Sequence, residues 1–169
     1  VEGGSSGATR IRHFHLLETT GATAPRILPL PVPHMAKFKL DSDPRPEVFL
    51  IAISSHEKDY RLCWALNNSL RLDLARRDRD IDGFPSAAKF PAFDHVEPET
   101  QAAITLVGNH AEEGVLLPEQ RQADYFLIVD NESRMRQQEV LDGVRRAEFV
   151  LAAFPLDIQG IKDGYKLLE

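Results

Sequence analysis

Hydrophobic and polar positions follow two rhythms along this chain, and the changes of rhythm mark its elements. Val48 to Ser54 is a short apolar, β-branched run, which predicts a buried strand. His56-Glu57-Lys58-Asp59 then marks a turn and a helix start, with Asp59 as the N-cap. From Tyr60, Leu62, Cys63, Leu66 and Leu70 recur at three- and four-residue intervals, which places them on one helical face. Leu70, Leu72 and Leu74 alternate with polar residues, the period of a half-buried strand. A second strand-helix-strand unit follows near the C-terminus. Tyr125 to Val129 is its opening strand, and Asp130-Asn131-Glu132-Ser133 supplies capping residues. Met135, Val140, Leu141, Val144 and Ala147 form its helical stripe, with Asp142 and Arg146 spaced for an ion pair on the opposite face. Phe149 to Phe154 is the closing strand, ended by Pro155.

Between the two units, Lys89–Val96 and Ala102–Val107 are short and strand-like, punctuated by Pro85, Pro91, Pro98 and Gly108. They predict an antiparallel excursion. Two βα units around extra antiparallel strands predict an α+β, ferredoxin-like (split βαβ) sandwich, with helices on one face and a mixed sheet on the other. Residues 1–34 break both rhythms. Gly3, Gly4 and Gly7, then Pro25, Pro29, Pro31 and Pro33, predict an extended, disordered leader outside the fold. Met35 reads as the native start of a single α+β domain, residues 35–169.

Composition narrows the function classes. The net charge is −6 and the basic residues are dispersed, so neither a nucleic-acid backbone nor an anionic membrane is an expected partner. One cysteine, Cys63, excludes an internal disulfide and cysteine-cluster zinc sites, which fits a cytoplasmic setting. No apolar run reaches the roughly 18 residues that would cross a bilayer.

One short stretch carries a resemblance. Leu117-Pro118-Glu119, three variable residues, and Ala123-Asp124-Tyr125 are similar to the signature of the bacterial IPExxxVDY family. Leu117 stands for Ile and Ala123 for Val, while Pro118, Glu119, Asp124 and Tyr125 match outright. Asp59-Tyr60-Arg61-Leu62 with Leu66-Asn67, and Asp80-Ile81-Asp82, look like the family's earlier segment. The resemblance implies a small cytoplasmic bacterial α+β domain, and it brings no catalytic residues. From the residues themselves, Pro118 suits a strand end or bulge, and Asp124 can accept N–H bonds from the preceding turn. The Tyr125 ring can enter the core while its hydroxyl reaches a polar partner such as Glu119.

The remaining motifs fall short of a chemistry. Asp78-Arg79-Asp80-Ile81-Asp82-Gly83 imitates the start of a calcium loop, but its twelfth position is Lys89 rather than a chelating Glu. His56-Glu57 matches half of a zinc-protease helix, yet position 60 is Tyr where a second His is needed. His56, His95 and His110 lack ligand spacing. Cys63 reads as a small core residue, and the Glu97/Glu99 and Glu112/Glu113 pairs as solvent-facing acids. The expectation is a non-catalytic cytoplasmic domain, without cofactor or metal, that binds another protein or itself. The surface would be a sheet edge or the rim of Pro118, Glu119, Asp124 and Tyr125. Two alternatives are a small-molecule sensor of split-βαβ architecture and an enzyme built on Glu119, Asp124, Tyr125 and His110.

Overall fold

The computed structural model describes residues 47–83 and 85–169; the expected leader, residues 1–34, lies outside them. In chain order the elements are β1 (Val48–Ser54), α1 (Asp59–Leu70), β2 (Ala75–Arg76), β3 (Ile81–Asp82), β4 (Lys89–Phe90) and β5 (Ala92–Val96). They continue with β6 (Ala103–Gly108), β7 (His110–Ala111), β8 (Gly114–Val115), β9 (Tyr125–Asp130), α2 (Gln137–Arg146) and β10 (Ala152–Leu156). The fold is α+β, with two helices against a six-stranded sheet ordered β10-β1-β9-β6-β5-β2. Every pairing in that sheet is antiparallel, so the expected mixed sheet is corrected. The reason is interleaving. β1 and β6 run parallel but β9 lies between them, and β9 and β10 run parallel with β1 between them.

The unbroken apolar strands follow from burial on both faces. Ile51, Ile53, Leu106, Leu127 and Val129 meet Leu62, Leu66, Val140 and Val144 of the helices. On the opposite face Leu50, Ala52, Val107, Phe126 and Ile128 meet Phe90, Leu116, Leu117, Ile161 and Leu167. That second layer is built from hairpins, loops and C-terminal 3-10 turns. Each fully buried leucine or isoleucine contributes roughly 1.5–3 kcal/mol relative to an exposed one.

Element ends depart from the sequence pattern for local reasons. Asp59 is the first helical residue, and Lys58 holds the N-cap position. The leucine alternation at 70, 72 and 74 is not a strand. α1 runs through Leu70, and Arg71 turns the chain in the left-handed region at φ 58°. The Asn67 side chain then takes both backbone groups of Leu74, accepting its N–H at 2.8 Å and donating to its carbonyl at 3.1 Å. A ladder partner has nothing left to bind there. In the second unit Asp130 and Ser133 build a turn, and Arg136 is the N-cap of α2. Asp142 accepts from Gln138 rather than pairing with Arg146. Phe149, at φ 69°, breaks the expected closing strand, which starts at Ala152 and includes Pro155. The Arg61 guanidinium lies 4.5 Å above the Phe149 ring.

Both sheet edges are blunted. The Glu47 and Ile53 carbonyls accept from Asn131 and Asp124, so odd-numbered residues of β1 turn their backbone groups toward β9. Even-numbered ones face β10, and the Ser54 carbonyl accordingly accepts the Leu151 N–H. In this register Ala153 and Pro155 face outward. Pro155 has no N–H to offer, and the Ala153 carbonyl accepts Arg145 Nε at 3.2 Å. Proline and a capping cation are devices that stop edge pairing. The far edge, β2, has two residues.

Candidate functional site

Asn109 organises the segment that carries the resemblance. It follows β6, is wholly buried, and makes three side-chain hydrogen bonds into one loop. Its Nδ2 donates to the Gln120 carbonyl at 3.0 Å and the Ala123 carbonyl at 2.7 Å, and its Oδ1 accepts the Leu117 N–H at 2.9 Å. Leu116, Leu117 and Ala123 are thereby held in the core. Pro118 is neither at a strand end nor in a bulge. It opens a 3-10 turn, Pro118–Gln120, where its fixed φ suits the first position and its missing N–H matters least. Glu119 stands on that turn, exposed to solvent.

Asp124 and Tyr125 reach across to the loop between β1 and α1. Asp124 Oδ2 accepts the Ser55 N–H at 2.8 Å, in place of the N–H groups of the preceding turn. The Tyr125 hydroxyl donates to the Glu57 carbonyl at 2.6 Å, and not to Glu119. Burial, with the Asp59, Asp124 and Glu57 carboxylates nearby, pushes that hydroxyl up to about 12, so it remains a donor at neutral pH. These two bonds set the path by which the chain leaves β1 and enters α1. Tyr125→Phe removes one of them and is expected to lower unfolding free energy by about 1 kcal/mol, read from the urea midpoint.

The same residues wall an open cleft of about 380 Å³, with Ser55–Asp59 on one side and Gly108, His110, Asp124 and Tyr125 on the other. His110 Nε2 is 3.8 Å from Asp124 Oδ1 and 3.2 Å from the Arg121 carbonyl. Three of the four residues named for an enzyme therefore meet in the cleft, and Glu119 does not line it. No described residue brings a nucleophile activated by that pair. Cys63 is buried in the core, where desolvation, helped by Asp59 and Asp73, raises its thiol to about 11. It donates to the Leu74 carbonyl at 3.4 Å.

No family model, curated protein or solved structure matches the chain.

Two of the three acids of Asp78–Gly83 are engaged by cations: Asp80 with Arg76 at 2.7 Å, and Asp82 with Lys89. Among the described residues no group of three or more His, Cys, Asp or Glu side chains is arranged to hold a metal. Gly83 is demanded by packing, since a Cβ there would lie 2.6 Å from the Phe90 ring. Glu97 corrects another expectation. It is buried, not solvent-facing, and binds Ser133 Oγ, Thr100 Oγ1 and the Arg134 N–H.

The outer face of α1 carries what the sequence pattern passed over. Tyr60 is 60% exposed and Trp64 57% exposed. Lying four apart on a helix, they are surface neighbours. Trp64 lines a groove of about 300 Å³ whose other wall is Arg146, Ala147 and Glu148 at the end of α2. The signal was present: both aromatics fall off the Leu62–Leu66–Leu70 stripe.

Proposed function

We propose that this chain is a non-catalytic cytoplasmic domain that binds another protein through the outward face of α1. The observation that carries this is the Tyr60–Trp64 pair, two aromatics more than half exposed and one helical turn apart. Such side chains lose solvent-exposed apolar area on docking and are enriched among residues that dominate binding energy. Docking by strand addition fits poorly, because Pro155, Arg145 and the two-residue β2 blunt both edges. A net charge of −6 argues against nucleic acid and anionic membrane as partners. Among the described residues, no helix is long and apolar enough to cross a membrane.

The finer fold assignment belongs to the same proposal. The order β10-β1-β9-β6, with α1 and α2 packed together on one face, supports a ferredoxin-like split βαβ frame extended by β5 and β2. Membership of the IPExxxVDY family is proposed on the Leu117–Tyr125 match. Within it Pro118 and Glu119 remain the exposed candidates for a binding rim, while Asp124 and Tyr125 serve the β1–α1 loop.

A second reading has the cleft beside Asp124 in its favour. Its volume, about 380 Å³, is within the range of small-molecule sites, which supports a ligand-sensing domain. A thermal-shift screen of polar metabolites with wild type and His110→Ala separates the two. A ligand whose stabilisation disappears in the variant supports sensing.

The test of the interaction reading is a cross-linking pull-down with wild type and Tyr60→Ala/Trp64→Ala. Exposed substitutions typically change stability by about 0.5 kcal/mol or less, so the double variant is expected to fold. It is expected to lose partners that the wild type captures. Retention of every partner contradicts the assignment.

A further inference from the structure

We propose that the partner of the α1 face is a second copy of this chain, docked about a two-fold axis. The inference rests on the interaction reading above and names its occupant. A closed two-fold dimer needs a self-complementary patch, in which a projecting group and its recess lie side by side on one protomer. The α1–α2 surface has both. Trp64 projects, more than half exposed, from one wall of the groove that Ala147 closes on the other. Two copies related by a two-fold axis can each seat an indole in the other's groove.

Charge makes the same selection. Arg146 and Glu148 stand exposed beside that groove, and neither has an ion-pair partner among the described residues. They carry one charge of each sign on the same wall. A two-fold operation sets Arg146 of one copy against Glu148 of the other, twice, leaving no charge of the four unmatched. The chain carries −6 in all, so most faces bring surplus anions together when two copies meet. This patch is neutral, and there self-repulsion is least. Where α1 and α2 approach closely, Ser69 Oγ donates to the Gly143 carbonyl at 2.6 Å, which ties the two helices together at the base of the patch.

The experiment is sedimentation equilibrium of the full chain across micromolar to submillimolar concentrations. The proteins are wild type, Trp64→Ala, Arg146→Glu, Glu148→Arg and the exchanged pair R146E/E148R. Wild type is expected to show a reversible monomer–dimer equilibrium. Trp64→Ala is expected to weaken it at least about thirtyfold. Each single charge reversal puts like charges together at two symmetry-related places and is expected to weaken it about tenfold, while the exchange returns affinity to within about threefold of wild type. A monomeric wild type overturns the proposal, as does a dimer indifferent to Trp64→Ala or an exchange that fails to restore association. The same Trp64→Ala protein goes through the cross-linking pull-down. A monomeric wild type whose foreign partner is lost from Trp64→Ala overturns the second copy alone. A dimer and a partner list both unchanged by the substitution overturn the α1 face as well.

Discussion

Asn109→Ala is expected to lower unfolding free energy by about 3–5 kcal/mol, the largest effect of any single polar substitution outside the apolar core. The side chain is wholly buried and closes the loop from Leu117 to Ala123 from within. Alanine leaves the Leu117 N–H and the Gln120 and Ala123 carbonyls without that partner, away from bulk solvent. Leu116 and Leu117 sit on the same loop, so the loss spreads into the apolar layer beneath the sheet. Asn109→Asp is expected to be at least as damaging. An aspartate keeps the acceptor for Leu117 but turns an oxygen toward two carbonyls that need a donor. Urea melts measure both. The midpoint falls while the slope holds if the loop alone is affected. A loss below about 1 kcal/mol for Asn109→Ala would show that the loop is held by its apolar contacts instead.

Glu97→Ala is expected to cost about 2–4 kcal/mol, and Glu97→Gln less, because its amide keeps the shape and an oxygen acceptor. The carboxylate joins the β5–β6 turn to the segment between β9 and α2 by accepting from Ser133 Oγ at 2.5 Å, Thr100 Oγ1 at 2.7 Å and the Arg134 N–H at 3.2 Å. Burial pushes its pKa up, but those three bonds and the charge of His95 outweigh it and hold the group below its ordinary value of 4.5. The folded chain therefore binds this proton less readily than the unfolded chain does. The stabilisation is fully present above the unfolded value and is lost as pH falls through the folded one. The gap between wild type and Glu97→Gln should be constant at neutral pH and close as the pH drops below about 4.5. Asp94, which burial raises but Arg77 and Thr105 lower further, contributes to acid loss in both proteins and cancels in the comparison. A gap that widens in acid would contradict the ionised state of Glu97.

Much of the frame could be read from apolar rhythm. β1 and β9 announce themselves because both of their faces are covered, which no polar alternation interrupts. α1 and α2 follow from stripes at helical spacing. The leucines at 70, 72 and 74 misled because alternation reports only which residues point inward, and Asn67 supplies the backbone partners that a neighbouring strand would. The mixed sheet was wrong because strand direction alone is silent about which strand fills the gap between two others. Asn109 and Glu97 are single polar letters in turn-rich stretches. Their weight comes from partners brought close by folding, such as Ser133, 36 residues beyond Glu97. The Leu117–Tyr125 segment was legible as a turn leading into a buried ladder, yet the targets of Asp124 and Tyr125 lie 69 and 68 residues upstream. Nothing local names them.

Amide hydrogen exchange at Leu117 and Ser55, followed by NMR on the wild-type chain, tests most directly whether the Leu117–Tyr125 segment is built as architecture. One N–H is bound by Asn109 and the other by Asp124. Both should exchange as slowly as the central strands, opening only when the whole domain does. Exchange at either amide near the rate of an unstructured peptide would mean that the loop opens freely. The segment would then be a mobile surface feature, and its resemblance to a family signature would need another cause.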